Sequence, residues 1–272
     1  MTDLSTKLES LEKILRDMQS VLIAYSGGTD STFLLKIAKT VLGDKAVAAT
    51  ASSETYTPQE LQDAKKNAET IGAQHIIVYT DELNDPNFSS NPPDRCYYCK
   101  KELFTKLTGQ LKRHGLKYIV DGSTCDDERD FRPGMRAVAE FGVRSPLKEA
   151  GFTKDDIRRL SKKMNLPTWD KPPLPCLSTR FPYGTQITKD KVLRVGRAED
   201  FLAGFGIRQL RVRDHGSVAR IEVQRADMPI FLDEEISNLI VERFKMLGYA
   251  YVALDIQGYR MGSMNEPLKG NT

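Results

Sequence analysis

Two glycines, two serines, a threonine and an aspartate stand together at Ser26-Gly27-Gly28-Thr29-Asp30-Ser31, between the apolar run 21–25 and a segment of helical periodicity. A turn of small residues lets backbone N–H groups close on an anion, and the helix that follows adds the positive end of its dipole. Ser26 and Ser31 add hydroxyl donors, and Asp30 is placed to orient Mg²⁺ or a water beside phosphates. The loop lacks the Gly-Lys-Ser/Thr of a Walker loop and the Gly-x-Gly-x-x-Gly of a dinucleotide fingerprint, so it reads as a phosphate cradle of another type. The plain alternative is a strand–helix turn without a ligand; the residue types and their context together argue against it.

The cysteines form the second constellation. Cys96-Tyr97-Tyr98-Cys99 has the spacing that brings two thiolates to one metal at a helix start, and Cys176 lies far along the chain in Pro175-Cys176-Leu177-Ser178-Thr179-Arg180-Phe181-Pro182-Tyr183-Gly184. Three thiolates suit a [4Fe–4S] cluster with one iron left open. A structural zinc prefers four ligands and would draw in Cys125 or a histidine; a redox pair needs Cys96 and Cys99 alone. The bland reading makes all four cysteines buried small hydrophobes, and for Cys125, which carries no motif, it is preferred.

Other residues carry a functional and a bland reading side by side. Lys100, directly after the CxxC, is placed to neutralise charge on an intermediate, or is a solvated helix lysine. Glu128 and Asp130 suit Mg²⁺ or nucleotide contact, or loop solubility. Arg211 and Arg213 alternate, face one side of a strand and suit a substrate phosphate, against a merely solvated face. Ser178 and Arg180 flank Cys176 and are placed to orient substrate; Glu199 joins them or lies on a solvated face. Trp169, Tyr97 and Tyr98 read as packing, and His75, His114 and His215 have no ligand spacing.

These residues need a scaffold. Residues 1–20 read as an amphipathic helix through Leu4, Leu8, Leu11, Leu15 and Met18. Strands are expected at 21–25, 46–51, 75–79 and 117–120, alternating with helices at 31–41, 58–71 and 98–114. That alternation means a doubly wound α/β parallel sheet, whose ligand site lies beyond the carboxyl ends of its strands. A less regular stretch contains a helix at 154–164 and the Pro-rich segment 167–175. Beyond a boundary near Tyr183, helices at 189–201 and 228–246 and strands at 209–213, 218–223 and 251–255 make a smaller α+β domain. The expected domains are therefore 1–183 and 184–272.

The composition sets the remaining bounds. The chain has 272 residues, 40% of them hydrophobic, enough for a sizeable core, and no apolar run long enough to span a membrane. Its first residues carry both charge signs and no small-residue cleavage site, so no signal peptide is expected and the default compartment is cytoplasmic. A net charge of +3 from 40 basic and 37 acidic residues gives little electrostatic grip on nucleic acid.

The loop resembles that of the PP-loop pyrophosphatases, which share Ser-Gly-Gly-x-Asp-Ser; here Thr29 fills the variable place. The resemblance implies that ATP is split to AMP and pyrophosphate and that a substrate oxygen is adenylated. It also implies nucleotide contacts at Ala24, Ser26, Gly27, Gly28, Asp30, Ser31, the strand end 51–53 with Ser53, Gly122 and Glu128, with Asp30 and Lys100 taking part in catalysis. The whole combination is similar to one branch, the LarE family of sulfur-inserting enzymes, which help build the nickel-pincer cofactor of lactate racemase. The matching pieces are Ser26–Ser31, Asp121-Gly122, Asp130-Phe131-Arg132-Pro133-Gly134, Arg180-Phe181-Pro182-Tyr183-Gly184, Arg211-Val212-Arg213 and Ala219-Arg220-Ile221-Glu222. They run over nearly the whole chain.

That family's substrate is pyridinium-3,5-biscarboxylic acid mononucleotide, whose adenylated carboxylates become thiocarboxylates. The resemblance assigns Ser178, Arg180, Glu199, Arg211 and Arg213 to this substrate. One kind of member sacrifices a single cysteine, here Cys176, which leaves as dehydroalanine. The other holds a [4Fe–4S] cluster on three cysteines, here Cys96, Cys99 and Cys176, and a separate sulfide donor supplies it. With all three present, the cluster type is expected, with ATP and Mg²⁺, no nucleic-acid partner and a homo-oligomeric state. A tRNA-thiolating PP-loop enzyme is the alternative, and a non-catalytic nucleotide- or cluster-binding module the other class.

Overall fold

The computed structural model describes residues 4–129, 133–172 and 175–269, excepting the side chains of 128, 129 and 267–269. The chain forms two compact units, Met1–Glu82 with Asp94–Leu174, and Leu83–Pro93 with Pro175–Thr272.

In the first unit, α1 (Leu4–Met18), β1 (Val21–Ala24), α2 (Thr29–Leu42), β2 (Ala46–Ser52), α3 (Pro58–Ile71) and β3 (Gln74–Tyr79) follow one another. A short α4 (Pro86–Ser89) then belongs to the second unit; α5 (Arg95–Arg113), β4 (Tyr118–Val120), α6 (Gly134–Glu140), α7 (Pro146–Glu149) and α8 (Lys154–Lys163) return to the first. The strands form a parallel sheet in the order β3-β2-β1-β4, with Val21 opposite both Ala46 and Tyr118. The apolar run at β1 sits at an interior position of this sheet, where both faces are covered.

Side chains divide by the two-residue strand period. Val21, Ile23, Ala46 and Ala48 join α1, α2, α3, α7 and α8 in one core, whereas Leu22, Val47 and Ala49 join α5 and α6 in the other. Within α2 the residues Phe33, Leu34, Ile37 and Ala38 are buried, and Val41 packs at the margin. Capping boxes fix the starts of α3, through Thr57 and Glu60, and of α8, through Thr153 and Asp156. The expected helix at 98–114 begins earlier, at Arg95, because Pro92-Pro93 ends the preceding segment and Asp94 takes the cap position. Cys96 and Cys99 therefore lie inside the helix, in its first two turns.

The second unit holds a 3₁₀ turn at Leu177–Arg180, then α9 (Lys189–Ala203), β5 (Leu210–His215), β6 (Val218–Val223), α10 (Glu234–Met246) and β7 (Tyr251–Leu254). β5 and β6 form an antiparallel hairpin over Gly216, and β7 adds to β6 in parallel. The helix expected at 228–246 is two elements. A 3₁₀ stretch, Arg225–Leu232, contains Pro229, and α10 starts afresh where the Asp233 side chain accepts the Ile236 N–H. Segment 83–93 packs here through Asn91, fully buried with φ of 57°, whose side-chain amide donates to the carbonyls of Phe181 and Pro182.

Candidate active site

The strand order reverses between β1 and β4, and in open parallel sheets that switch point makes a crevice at the carboxyl edge. The segments after these two strands meet there. Gly122 lies so close to the start of α2 that a Cβ would stand 3.1 Å from the Ser31 nitrogen. Gly27 has φ of 68°, and a Cβ on it would fall 2.9 Å from the Ala64 Cβ. Only glycine fits either place without displacing backbone.

Between them the loop is held by its own hydroxyls. Ser26 Oγ lies 3.1 Å from Ser31 Oγ and accepts the Gly28 N–H, while Ser31 Oγ donates to the Gly28 carbonyl. Thr29, at the variable place, donates its hydroxyl to the Thr168 carbonyl at 2.7 Å, tying the helix start to the Pro-rich segment. Gly28 supplies no side-chain cap to α2, and a helix start of this kind is suited to an anion. Ser26 is exposed, Asp30 is half-buried in the first turn, and Ala24 is the half-buried last residue of β1.

Two carboxylates flank this loop. Asp121, at the end of β4, is buried and accepts hydrogen bonds from Ser123 Oγ and Ser145 Oγ at 2.7 Å each. Lys100 Nζ stands 3.6 Å from Asp121 Oδ2, so the lysine after the CxxC is directed to the loop following β4. The Lys100 stem passes Gly134, where a Cβ would lie 2.8 Å from Cδ. At the end of β2, Ser53 Oγ donates to Glu82 Oε1 at 2.6 Å, and Thr55 donates to the same oxygen at 2.5 Å. Glu82, fully buried, was not singled out by sequence, since a lone acid after a strand carries no motif. The Glu128 side chain and Asp130, Phe131 and Arg132 lie outside the described residues.

Cys96 is exposed and Cys99 half-buried, one turn apart on α5, and none of the four cysteines is in a disulfide. Two thiols three residues apart share a helix face, so this pair fits as two ligands of one cluster. The third expected ligand, Cys176, belongs to the other unit. Among the described residues no three His, Cys, Asp or Glu side chains are gathered as a metal site.

In the second unit, Cys176 is half-buried and caps the turn Leu177–Arg180. Arg180, 2% exposed, turns inward: its fork grips Glu199, and Nη1 donates to the carbonyls of Pro175 and Cys176 and to Thr179 Oγ1. Ser178 is fully buried beside it. Arg211 and Arg213 do share one face of β5, but both are buried rather than solvated. Arg213 donates to Glu222 at 2.7 Å, Ser263 at 2.9 Å and the Thr179 carbonyl at 2.9 Å. Arg211 stacks toward the Tyr259 ring at 5.2 Å. Burial chiefly, and then the charges of Arg180 and Arg213, lower its pKa from the ordinary guanidinium value. Ser263 escaped the sequence reading, and Glu222, which stands directly opposite Arg211 in the hairpin register, was part of a matching segment but was given no role. Three buried guanidiniums against the carboxylates of Glu199 and Glu222 make a cluster suited to an anion.

The model of the NAD synthase family matches residues 5–89, the stretch holding the loop and β1 to β3. An uncharacterized protein of Synechocystis is 45% identical over 97% of this chain and 99% of its own length. One from Methanocaldococcus jannaschii is 29% identical over 93% of this chain and 97% of its own. The pyridinium-3,5-bisthiocarboxylic acid mononucleotide synthase of Lactiplantibacillus plantarum is 40% identical over 98% of this chain and 97% of its own length. With that identity across both units, and a loop that lies at the switch point of a parallel sheet, the chain belongs to the LarE family of PP-loop, ATP-dependent sulfurtransferases.

Proposed function

We propose that this enzyme converts pyridinium-3,5-biscarboxylic acid mononucleotide to its dithiocarboxylic form, for the nickel-pincer cofactor of lactate racemase. The observation that carries the reading is the 40% identity with the plantarum synthase over both units. The loop Ser26–Ser31 and the uncapped start of α2 hold the phosphates of ATP, with Asp30 serving Mg²⁺ and Ala24, Ser53, Gly122 and Glu128 lining the nucleotide. A substrate carboxylate attacks the α-phosphorus; pyrophosphate leaves and an acyl-adenylate remains. Lys100, steered by Asp121, offsets negative charge as AMP departs. Arg211 and Arg213 receive the phosphate of the mononucleotide, while Arg180 and Glu199 set the turn that presents Cys176 and Ser178.

Sulfur then replaces AMP. Cys96, Cys99 and Cys176 are the residues that would hold a [4Fe–4S] cluster, which when bound offers an open iron for an added sulfide. Support for this over a sacrificial Cys176 comes from the CxxC, which has no task in the sacrificial scheme. We further infer a cytoplasmic homo-oligomer that acts on a small molecule and not on nucleic acid; among the described residues no helix is long and apolar enough to cross a membrane.

The test is incubation with ATP, Mg²⁺ and the biscarboxylic mononucleotide, following pyrophosphate, AMP and the thiocarboxylate by mass. Pyrophosphate release that depends on the mononucleotide supports the reading. Release with tRNA instead would move the assignment to the thiolating alternative, and nucleotide binding without cleavage would favour a non-catalytic module.

A further inference from the structure

The sequence reading leaves His75 without a task, and the structure gives it one. Tyr25, the residue before the phosphate loop, is fixed at three atoms. Its N–H donates to the Ala49 carbonyl at 2.8 Å, its carbonyl accepts from Thr50 Oγ1 at 2.8 Å, and its hydroxyl lies 3.3 Å from Thr32 Oγ1. Thr50 Oγ1 is in turn 2.7 Å from His75 Nε2 on β3. Counting protons fixes the direction of this chain. A carbonyl only accepts, so the single hydroxyl proton of Thr50 goes to Tyr25, and His75 Nε2 must carry the proton that it donates to Thr50. The His75 ring also stands edge-on to the Tyr25 ring, with centroids 5.7 Å apart.

In a trans peptide the C=O and the following N–H point to opposite sides. Holding the Tyr25 carbonyl toward β2 therefore turns the Ser26 N–H away from β2, to the side of β1 on which β4 lies. We propose that Thr50 and His75 are positioning residues for ATP cleavage, aiming the Ser26 amide at the pyrophosphate-forming end of ATP. This rests on the reading of Ser26–Ser31 as the phosphate loop.

The experiment is calorimetric binding of Mg²⁺–pyrophosphate and, separately, of adenosine to the full chain, with thermal melts as the folding control. Thr50→Val should weaken pyrophosphate roughly 5–10-fold, as expected for one lost neutral hydrogen bond, and leave adenosine unchanged. Thr50→Ser should restore it. His75→Leu should follow Thr50→Val, and His75→Gln, which keeps an N–H donor, should stay within about twofold of wild type, an interval well below the loss expected for one bond. Should Thr50→Val fail to fold, the half-buried His75 pair carries the test. Unchanged pyrophosphate affinity in the folded variants overturns the proposal, as does an equal loss for adenosine, which marks a merely structural role. A wild-type chain that binds adenosine but no pyrophosphate would instead sink the loop reading, and this inference with it.

Discussion

Arg180 and Glu199 meet fork to fork, with Nε and Nη2 of the guanidinium each 2.9 Å from a carboxylate oxygen. The same Glu199 Oε1 accepts the Val212 N–H on β5, and the same Arg180 holds the carbonyl of Cys176. One buried ion pair thus joins α9, β5 and the cysteine turn. Removing one partner of a buried pair leaves the other charge uncompensated. Glu199→Ala should cost about 3–5 kcal/mol in urea unfolding, whereas Glu199→Gln, still an acceptor, should cost about 1–3 kcal/mol. Equal and small effects would show that Arg180 is solvated in solution.

Asp30 gives the opposite pattern. It lies half-buried in the first turn of α2, where an acid adds only about 0.3–1 kcal/mol through the helix dipole. Asp30→Ala should therefore melt within a few degrees of wild type and yet release no pyrophosphate. A folded Asp30→Ala protein with normal release would remove Asp30 from the catalytic group.

Much of the first unit was legible because its signals are local. Residues 21–25 read as a buried strand, and the helix expected at 58–71 matches α3 to the residue. The loop's place at a strand end followed from alternation alone. The partners that give the site its character were hidden because they arise from strand pairing. Thr50 meets His75 only through the register that sets Thr50 against Ile77 on β3. Arg211 and Arg213 were legible as a pair on one strand face suited to a phosphate, but their burial and the Glu222 partner come only from the pairing of β5 with β6. Likewise the break at Asp233 was overlooked because apolar spacing continues through Pro229 into α10.

Arg211 leads to a ligand prediction. Its charge is desolvated beside Arg180 and Arg213, so a bound anion relieves what burial costs. Inorganic phosphate at 100 times its Kd should stabilise the protein by about 2.7 kcal/mol, seen as a rise in Tm. Arg211→Met should lose most of that rise, read against the variant's own melt without phosphate. A full phosphate response in Arg211→Met would place the anion elsewhere.

Acid sensitivity should trace to histidine. Burial and Lys65 lower the His75 pKa, and burial, followed by Arg220, lowers that of His215. For a base with a depressed folded pKa, the unfolded chain binds protons first as pH falls. The stability is therefore complete above the ordinary histidine value of about 6.5 and is lost as pH drops through the folded values. The urea midpoint should fall between pH 7.5 and pH 5.5, and His75→Gln should flatten that slope by its own share. An unchanged slope in His75→Gln would mean that His75 does not titrate differently in the two states.

The source of sulfur can be decided by counting. A sacrificial Cys176 supplies one sulfur per chain, after which it becomes dehydroalanine and the mass falls by that of H₂S. Cysteines that hold a cluster stay intact, and turnover is limited only by the sulfide supplied. Cys96 is exposed and Cys99 half-buried, one turn apart near the start of α5, so alanine at either should leave the fold in place. Protein prepared without oxygen should contain iron and acid-labile sulfide, lose both in Cys96→Ala and Cys99→Ala, and turn over repeatedly only when all three cysteines are present. Intact mass after turnover should show Cys176 unmodified. If Cys96→Ala still makes one equivalent of product while Cys176 loses sulfur in step, the sacrificial route stands and the CxxC must serve another purpose.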